Sequence, residues 1–329
     1  MSDKQRRLLI TGIIIIGVIL LFRLMNRPQA PTMFPETPQE RPQQKADAYE
    51  VDPSLPKGER DNTPECLVPE ADGNRIFKEN DVLLDASHME DGYIMVKCGA
   101  DASKIKMQVT APNDVVYTYN LYPGTGYTTI PLSLGSGTYH VGVYSNIQDN
   151  MYVTIFSQDL KVTMEDPLSA FLYPNTYVDF DADSTVVKRA ADVCYPVNDD
   201  LEAVAAIYDY VTSVLEYDYE KANTVKSGYI PDVDKVLSDG KGICFDYSSV
   251  MCSMLRSQKI PARLEIGYAG SLYHAWISTY IQEVGWVGGI IRFDGNDWSL
   301  MDPTIAASEG TEELESFMDN SQYRTLYMY

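Results

Sequence analysis

Histidine is scarce in this chain of 329 residues, which contains only His88, His140 and His274. Any mechanism that needs an imidazole must therefore use one of these three side chains. Cysteine is also sparse, since five residues are too few for a disulfide scaffold, and the odd count leaves at least one thiol unpaired in a monomer. Basic residues are outnumbered, with 26 Lys and Arg against 47 Asp and Glu, and the formal charge is −21. Because nucleic-acid affinity depends on Lys and Arg, this balance argues against a nucleic-acid partner.

The residues that are present form a globular composition. The chain is 45% hydrophobic and 22% charged, which excludes wholesale disorder. At roughly 150 residues per domain, the length predicts about two domains.

The N-terminal region contains an almost wholly apolar stretch at residues 8–25. About 17 residues are the minimum for a helix that crosses a bilayer, so we predict a transmembrane signal anchor within residues 1–26. Lys4, Arg6 and Arg7 precede it and favour a cytoplasmic N-terminus. A cleaved signal peptide is the alternative, and either interpretation exports the remaining chain. The signal-anchor interpretation predicts a single-pass protein of the cell membrane with its globular domains outside the cytoplasm.

A proline-rich segment at residues 27–70 follows the apolar stretch. Eight of the 18 prolines lie between positions 27 and 64, separated mostly by polar residues. Such a segment cannot bury a core and predicts an extended, semi-rigid linker of about 3.1 Å per residue.

Residues 75–165 alternate apolar and polar side chains in short runs separated by turn signals. Ile105, Met107 and Val109, for example, alternate with polar neighbours. This pattern predicts an all-β sandwich, immunoglobulin-like in type. Neither of its histidines, His88 and His140, has ligand spacing to other residues, so we assign this β module no chemistry beyond possible binding of a surface ligand.

Residues 166–329 mix helical and strand patterns and form the predicted second domain, of α+β class. Its first part carries an acidic run, Asp179, Asp181 and Asp183, which lacks the Gly and Glu of a calcium loop and is interpreted as a solvated linker. The predicted elements are helices at 199–216 and Cys244–Ser257 and strands at 263–268, 274–280 and Trp298–Met301, the last two as a hairpin. Asp199 and Glu202 have capping-box spacing at the start of the first helix.

Three residues of this domain could form a catalytic site. Cys244 follows a glycine-containing turn and opens a helix, where the unpaired backbone N–H groups and the helix dipole favour a thiolate. His274 and Asp302 follow in chain order, and a thiol, an imidazole and a carboxylate are a nucleophile, a base and the group that orients the base. The spacing alone is weak evidence, because Cys244 could be a buried apolar cysteine and His274 a core histidine.

The sequence around these residues resembles the transglutaminase-like superfamily. The resemblance covers roughly residues 199–305 and rests on three motifs in the family order: Gly242-x-Cys244-x-Asp246-Tyr247 with Leu255-Arg256, Ile260-Pro261-Ala262-Arg263 and Gly267-Tyr268; His274-Ala275-Trp276; and Trp298 to Asp302-Pro303-Thr304. It implies a papain-like α+β core. It also implies a thioester acyl-enzyme at Cys244, with His274 as base and Asp302 as orienting acid, that passes its acyl group to an amine or to water.

Several alternatives stay open at this point. Asp294 and Asp297 are rival acids, Phe245 is bulky where the family often has a small residue, and Tyr217 and Tyr219 are candidates for an oxyanion donor. The connection at 281–297 is longer than in compact relatives and could form a lid or a subsite wall. We expect no metal or cofactor, because no second Cys or His has ligand spacing near Cys244 or His274.

The biological partner and the disulfide state are also open. The substrate would be an amide of a protein, a peptide or cell-wall material, processed by cross-linking, proteolysis or deamidation. The alternative function is a non-enzymatic surface protein in which the papain-like domain is a scaffold. Cys66 and Cys98 flank the β module and could form a disulfide.

Overall fold

The computed structural model describes residues 54–269, 271–282, 285–288, 290–293, 298–301 and 323–329. The predicted signal anchor at 8–25 lies outside them. Within the described part, no helix has both the length and the apolar character needed to cross a membrane.

The β module consists of eight antiparallel strands arranged in two sheets. They are β1 (Ile76–Glu79), β2 (Val82–Asp85), β3 (Tyr93–Cys98), β4 (Ile105–Thr110), β5 (Val116–Leu121), β6 (Thr128–Pro131), β7 (Gly137–Gln148) and β8 (Met151–Val162). One sheet has the order β1-β2-β3-β6 and the other the order β5-β4-β7-β8. Inward-facing residues of both sheets, such as Ile94 and Val141, are fully buried in one hydrophobic core, as the alternating sequence pattern predicts.

The second half of the described chain combines five helices with a mixed set of strands. The helices are α1 (Thr185–Val193), α2 (Asp200–Val214), α3 (Tyr219–Thr224), α4 (Val233–Asp239) and α5 (Cys244–Ser257). The strands are β9 (Glu216–Tyr217), β10 (Lys241–Gly242), β11 (Ala262–Ala269), β12 (Leu272–Ile281), β13 (Gly285–Gly288), β14 (Ile290–Phe293), β15 (Trp298–Met301) and β16 (Tyr323–Met328).

The described strands of this half form one larger sheet and two pairs. The larger sheet has the order β13-β12-β11-β16, β9 pairs with β10 in parallel, and β14 pairs with β15. The predicted hairpin between the strand of His274 and β15 is therefore wrong. β12 pairs instead with β11 and β13, because the long connection at 281–297 supplies two strands of its own, β13 and β14.

Helix α5 is enclosed by the other elements of this half. It packs against β11 and β12 and against α1, α2 and α4. Every residue from Asp246 to Ser257 is buried, so α5 lacks the water-exposed polar face of a surface helix. The active-site candidate Cys244 is thus the first residue of a helix whose position is fixed on several sides.

The predicted capping box of the first helix is present in a modified form. Asp199 is the N-cap of α2 and its carboxylate accepts hydrogen bonds from the backbone N–H groups of Leu201 and Glu202. The Glu202 carboxylate accepts a 2.7 Å bond from the Asn198 N–H rather than from Asp199. Both acids therefore fix the start of the helix. Glu202 binds the N–H of Asn198, one residue before the Asp199 N–H that a capping box would use.

The end of the proline-rich segment packs against the helical half of the molecule. Gly58 donates a 2.9 Å hydrogen bond to the carbonyl of Tyr195, and Glu65 donates a 2.8 Å bond to the carbonyl of Ser257. The Arg60 guanidinium binds the Asp200 carboxylate at 2.7 Å and also bonds to Gln258. Residues 58–65, within the linker predicted at 27–70, are therefore docked on the helical half of the molecule.

The two cysteines considered for a disulfide, Cys66 and Cys98 at the end of β3, are free thiols. Cys66 lies near Asp181 and Cys98 near Asp81, and burial raises the pKa of both thiols. The disulfide considered between them is therefore not formed.

Candidate active site

The thiol of Cys244 stands at the junction of β10 and α5. Gly242 in β10 is hydrogen-bonded beside Tyr217 of β9, and Cys244 is half-buried at the first helical position. A Cβ at Gly242 would lie 2.6 Å from the Cβ of Asp246, so a larger residue at position 242 would displace the first turn of α5. Glycine is therefore required for the close turn that leads into the thiol.

The imidazole of His274 is held on β12 and is 5% exposed. It lies opposite Gly267 of β11, and its ring stacks on Trp276 with centroids 6.4 Å apart. A Cβ at Gly267 would lie 2.8 Å from the Trp276 ring and still closer to the Arg324 carbonyl, so glycine leaves room for this packing. The position of His274 is thus set by its neighbours on the sheet.

The structure brings the elements that carry Cys244 and His274 together. Helix α5 packs directly against β12. Partial burial raises the pKa of Tyr273, the neighbour of His274, and the charges of nearby Tyr327, Tyr268 and Cys244 add to this effect. The thiol therefore lies close enough to β12 to influence the residue beside the imidazole.

The third predicted residue, Asp302, lies outside the described residues, as do the rival acids Asp294 and Asp297. Strand β15 ends at Met301, immediately before Asp302, as the sequence pattern predicted. The orienting acid therefore stays a prediction.

A buried polar cluster next to the thiol was missed by the sequence analysis. Asp246 is 0% exposed, and its carboxylate accepts hydrogen bonds from Lys221 Nζ at 2.6 Å, the Tyr229 hydroxyl at 2.6 Å and the Ile243 N–H at 2.8 Å. Lys221 comes from α3 and Tyr229 from the following loop, so no local spacing signals the contact. The only sequence signal was Asp246 itself, an acid two residues after the thiol.

The bulky Phe245 belongs to an aromatic cluster. Its ring contacts Tyr177 at 5.5 Å and Tyr229 at 6.4 Å between centroids. Tyr177 in turn packs on Tyr329 at 4.7 Å and on Tyr119 of β5 at 5.8 Å. Tyr177 therefore links Phe245 to Tyr119 of the β module, which gives Phe245 a packing role that a small residue could not fill.

Among the described residues, one group has the donors and spacing to hold a metal ion. Glu70, Asp72 and His88 place one ligand atom each within 4.8 Å of the others. His88 already binds carboxylates through both ring nitrogens, Asp72 at 3.0 Å and Asp91 at 2.9 Å. The sequence analysis missed the group because Glu70 ends the predicted linker at 27–70 and Asp72 lies between that linker and the β module. Only its histidine belongs to the β module, and the group shares no residue with the thiol site.

A family comparison agrees with the cysteine and histidine motifs, and its match ends before the aspartate motif. Residues 188–288 match the model of the transglutaminase-like superfamily, a span of 101 residues (288 − 188 + 1) that includes Cys244 and His274. The resemblance predicted from the sequence is confirmed, and these residues form a transglutaminase-like core of mixed α/β structure.

Individual relatives are distant or matched in part. The uncharacterized protein YebA of Bacillus subtilis (strain 168) is 35% identical over 106 residues, which covers 26% of this chain and 14% of YebA. A candidate cysteine protease from Cytophaga hutchinsonii has a TM-score of 0.37 at 16% identity, covering 72% of this chain and 83% of its own. The periplasmic domain of TgpA from Pseudomonas aeruginosa has a TM-score of 0.31 at 14% identity, covering 70% of this chain and 94% of its own. These values carry no argument about substrate.

Proposed function

We propose that this protein is an extracytoplasmic thiol enzyme of transglutaminase-like type that forms an acyl-enzyme at Cys244. The observation that carries the proposal is the position of this thiol at the start of α5, a helix packed on the strand that bears the buried His274. The helix N-terminus favours the thiolate, and the imidazole can accept and return a proton.

The reaction divides into two acyl transfers. The Cys244 sulfur attacks the carbonyl carbon of an amide, and the C–N bond breaks as His274 gives a proton to the leaving amine. A thioester remains. An amine or water then attacks the thioester carbon while His274 takes its proton, the C–S bond breaks, and the thiol is restored. An amine as acceptor gives cross-linking, and water gives proteolysis or deamidation.

Asp302 is proposed as the acid that binds the far nitrogen of His274. A carboxylate there would fix the tautomer of the ring and stabilise the imidazolium formed during each transfer. The aspartate motif that contains Asp302 supports this choice over Asp294 and Asp297.

The β module is proposed to be immunoglobulin-like and to stand outside the cell on a membrane-anchored chain. The strand order β1-β2-β3-β6 and β5-β4-β7-β8 supports the first part. So does Tyr139 near the start of β7, whose hydroxyl donates to the carbonyls of Leu132 or Gly135 a few residues upstream. The apolar stretch at 8–25 supports the second part. Protease added to intact cells should release the described part of the chain, and full protection until lysis would contradict this location.

The activity is tested by intact mass spectrometry of the protein incubated with a glutamine-peptide library and a primary amine. We expect a covalent adduct on Cys244 and an amine-modified or deamidated peptide as product. Cys244→Ala is the control and should give neither. Turnover that persists in Cys244→Ala would overturn the proposal. The absence of any adduct across glutamine, peptide and cell-wall amides would favour the non-enzymatic scaffold.

A further inference from the structure

The Asp246 cluster places a buried negative charge in the same helical turn as the thiol. Asp246 follows Cys244 by two residues and is removed from solvent. Its carboxylate accepts the Ile243 N–H, one of the unpaired backbone groups at the start of α5. Such a bond stabilises the helix start, since an acid near a helix N-terminus interacts favourably with the dipole.

The same carboxylate weakens the positive potential that the start of α5 offers to the Cys244 thiol. A thiolate at a helix N-terminus is stabilised by the positive end of the dipole, whereas a second negative charge close by destabilises it. An uncompensated Asp246 would therefore cancel part of the effect that makes a thiol in this position reactive.

Lys221 supplies the compensating charge. Its ammonium group lies 2.6 Å from one oxygen of Asp246, while the Tyr229 hydroxyl donates to the other oxygen at 2.6 Å. Lys221 is also fixed by Tyr229, since Nζ donates a 2.7 Å bond to the hydroxyl and lies 4.3 Å from the ring centroid. Three contacts thus hold one flexible side chain in one place beside the buried acid.

We infer that Lys221, held by Tyr229, is a positioning residue that neutralises Asp246 and thereby keeps the Cys244 thiol reactive. The inference rests on the proposed function, in which Cys244 is the nucleophile. Lys221 acts through Asp246 and the first turn of α5, and needs no contact with the substrate.

Other ionisable groups near the start of α5 stay unchanged in the test. Tyr273 approaches from β12, Lys241 in β10 is paired with Asp218 at 3.3 Å, and the charges of Asp232 and Asp239 act on Tyr229. Since none of these is substituted, a change in thiol reactivity can be assigned to the Asp246 cluster.

The experiment measures, by peptide mapping, the rate of iodoacetamide alkylation of Cys244 in the full chain between pH 5 and pH 10. In Lys221→Met the midpoint of the pH profile should rise by about one unit, so that the rate at pH 7 falls about 10-fold. Lys221→Arg keeps the charge and should restore most of the rate. The double variant Lys221→Met, Asp246→Asn has neither charge and should return to within about threefold of the wild-type rate.

A structural role alone predicts a different pattern. The double variant would then react as slowly as Lys221→Met, or Lys221→Met would keep the wild-type profile, and either result overturns the inference. Should Lys221→Met fail to fold by circular dichroism, Tyr229→Phe replaces it, and a wild-type profile in that variant overturns the inference as well. Failure of the proposed function looks different, because wild-type Cys244 itself would then be alkylated no faster than the buried Cys252.

Discussion

Arg256 is the buried cation whose removal should destabilise the protein most. It is 1% exposed on α5 and donates to three backbone carbonyls. Nε and one terminal nitrogen donate to the Ala262 carbonyl at 3.0 and 2.7 Å. The two terminal nitrogens also donate to the carbonyl of Tyr173 at 2.7 Å and to the carbonyl of Tyr329 at 2.8 Å. The side chain thereby joins α5 to three separate segments. Burial lowers the pKa of Arg256 to about 10, so it remains charged at neutral pH.

The substitution Arg256→Met keeps the apolar stem and removes every one of these bonds. A hydrogen bond from a charged donor contributes about 1.5–3 kcal/mol, and a buried carbonyl left without a partner costs about 1–3 kcal/mol. Allowing for partial relaxation around three carbonyls, we expect a loss of about 3–5 kcal/mol in the free energy of unfolding. With a urea m value of about 2–3 kcal/mol/M, the midpoint should fall by about 1–2 M.

Lys259→Met is the matched control in the same region. Lys259 binds Asp61 at 2.8 Å, but the two side chains are 37% and 61% exposed, so this ion pair should contribute less than about 1 kcal/mol. Arg256→Lys should give an intermediate loss, because one ammonium group cannot reach three carbonyls. Urea unfolding followed by far-UV circular dichroism compares the four proteins. A midpoint for Arg256→Met equal to that of Lys259→Met would refute the reasoning.

Three further outcomes are expected. Cys244 should be the thiol most rapidly alkylated by brief iodoacetamide treatment at neutral pH, and faster labelling of buried Cys252 in the folded protein would contradict the site. Asp302→Asn should lower turnover by about 10- to 10³-fold and leave circular dichroism unchanged, whereas Asp294→Asn should stay within a few-fold; the reverse order would show that the wrong acid was chosen. Burial raises the pKa of Cys252 to about 12 from an ordinary 9.0, so the unfolded chain loses this proton first and stability should fall between pH 9 and pH 12. Cys252→Ala should flatten that fall by about 1.4 kcal/mol per pH unit, and an unchanged slope in alkaline urea titrations would exclude the thiol as a cause.

The features predicted well from sequence are those encoded by residues close together in the chain. The helix that begins at Cys244 was placed correctly because its glycine turn and apolar residues are local signals. The strand pattern of the β module was likewise visible, since alternation is a property of consecutive residues. Asp199 was identified as a helix start for the same reason.

The features missed depend on residues distant in sequence. Lys221 and Tyr229 meet Asp246 across 25 and 17 residues, and neither belongs to a recognisable spacing. Glu265 is another case, because this buried acid of β11 accepts hydrogen bonds from Ser278 and from Thr325, which is 60 residues away. Contacts of this kind are decided by the tertiary fold, so a single sequence gives no means of finding them.

The docking of residues 58–65 changes how the chain can be divided. These residues bind the segment around Tyr195–Asn198 and the end of α5 before the chain enters the β module, and Gly58 fits so closely that a Cβ would lie 1.9 Å from the Val197 carbonyl. The chain therefore contacts the helical half of the molecule before it enters the β module as well as after it leaves. A shortened protein that starts at residue 166 would expose the surface covered by Arg60 and its neighbours. A shortened protein that keeps these contacts must begin before Gly58. It can then either retain the β module or replace it with a short loop.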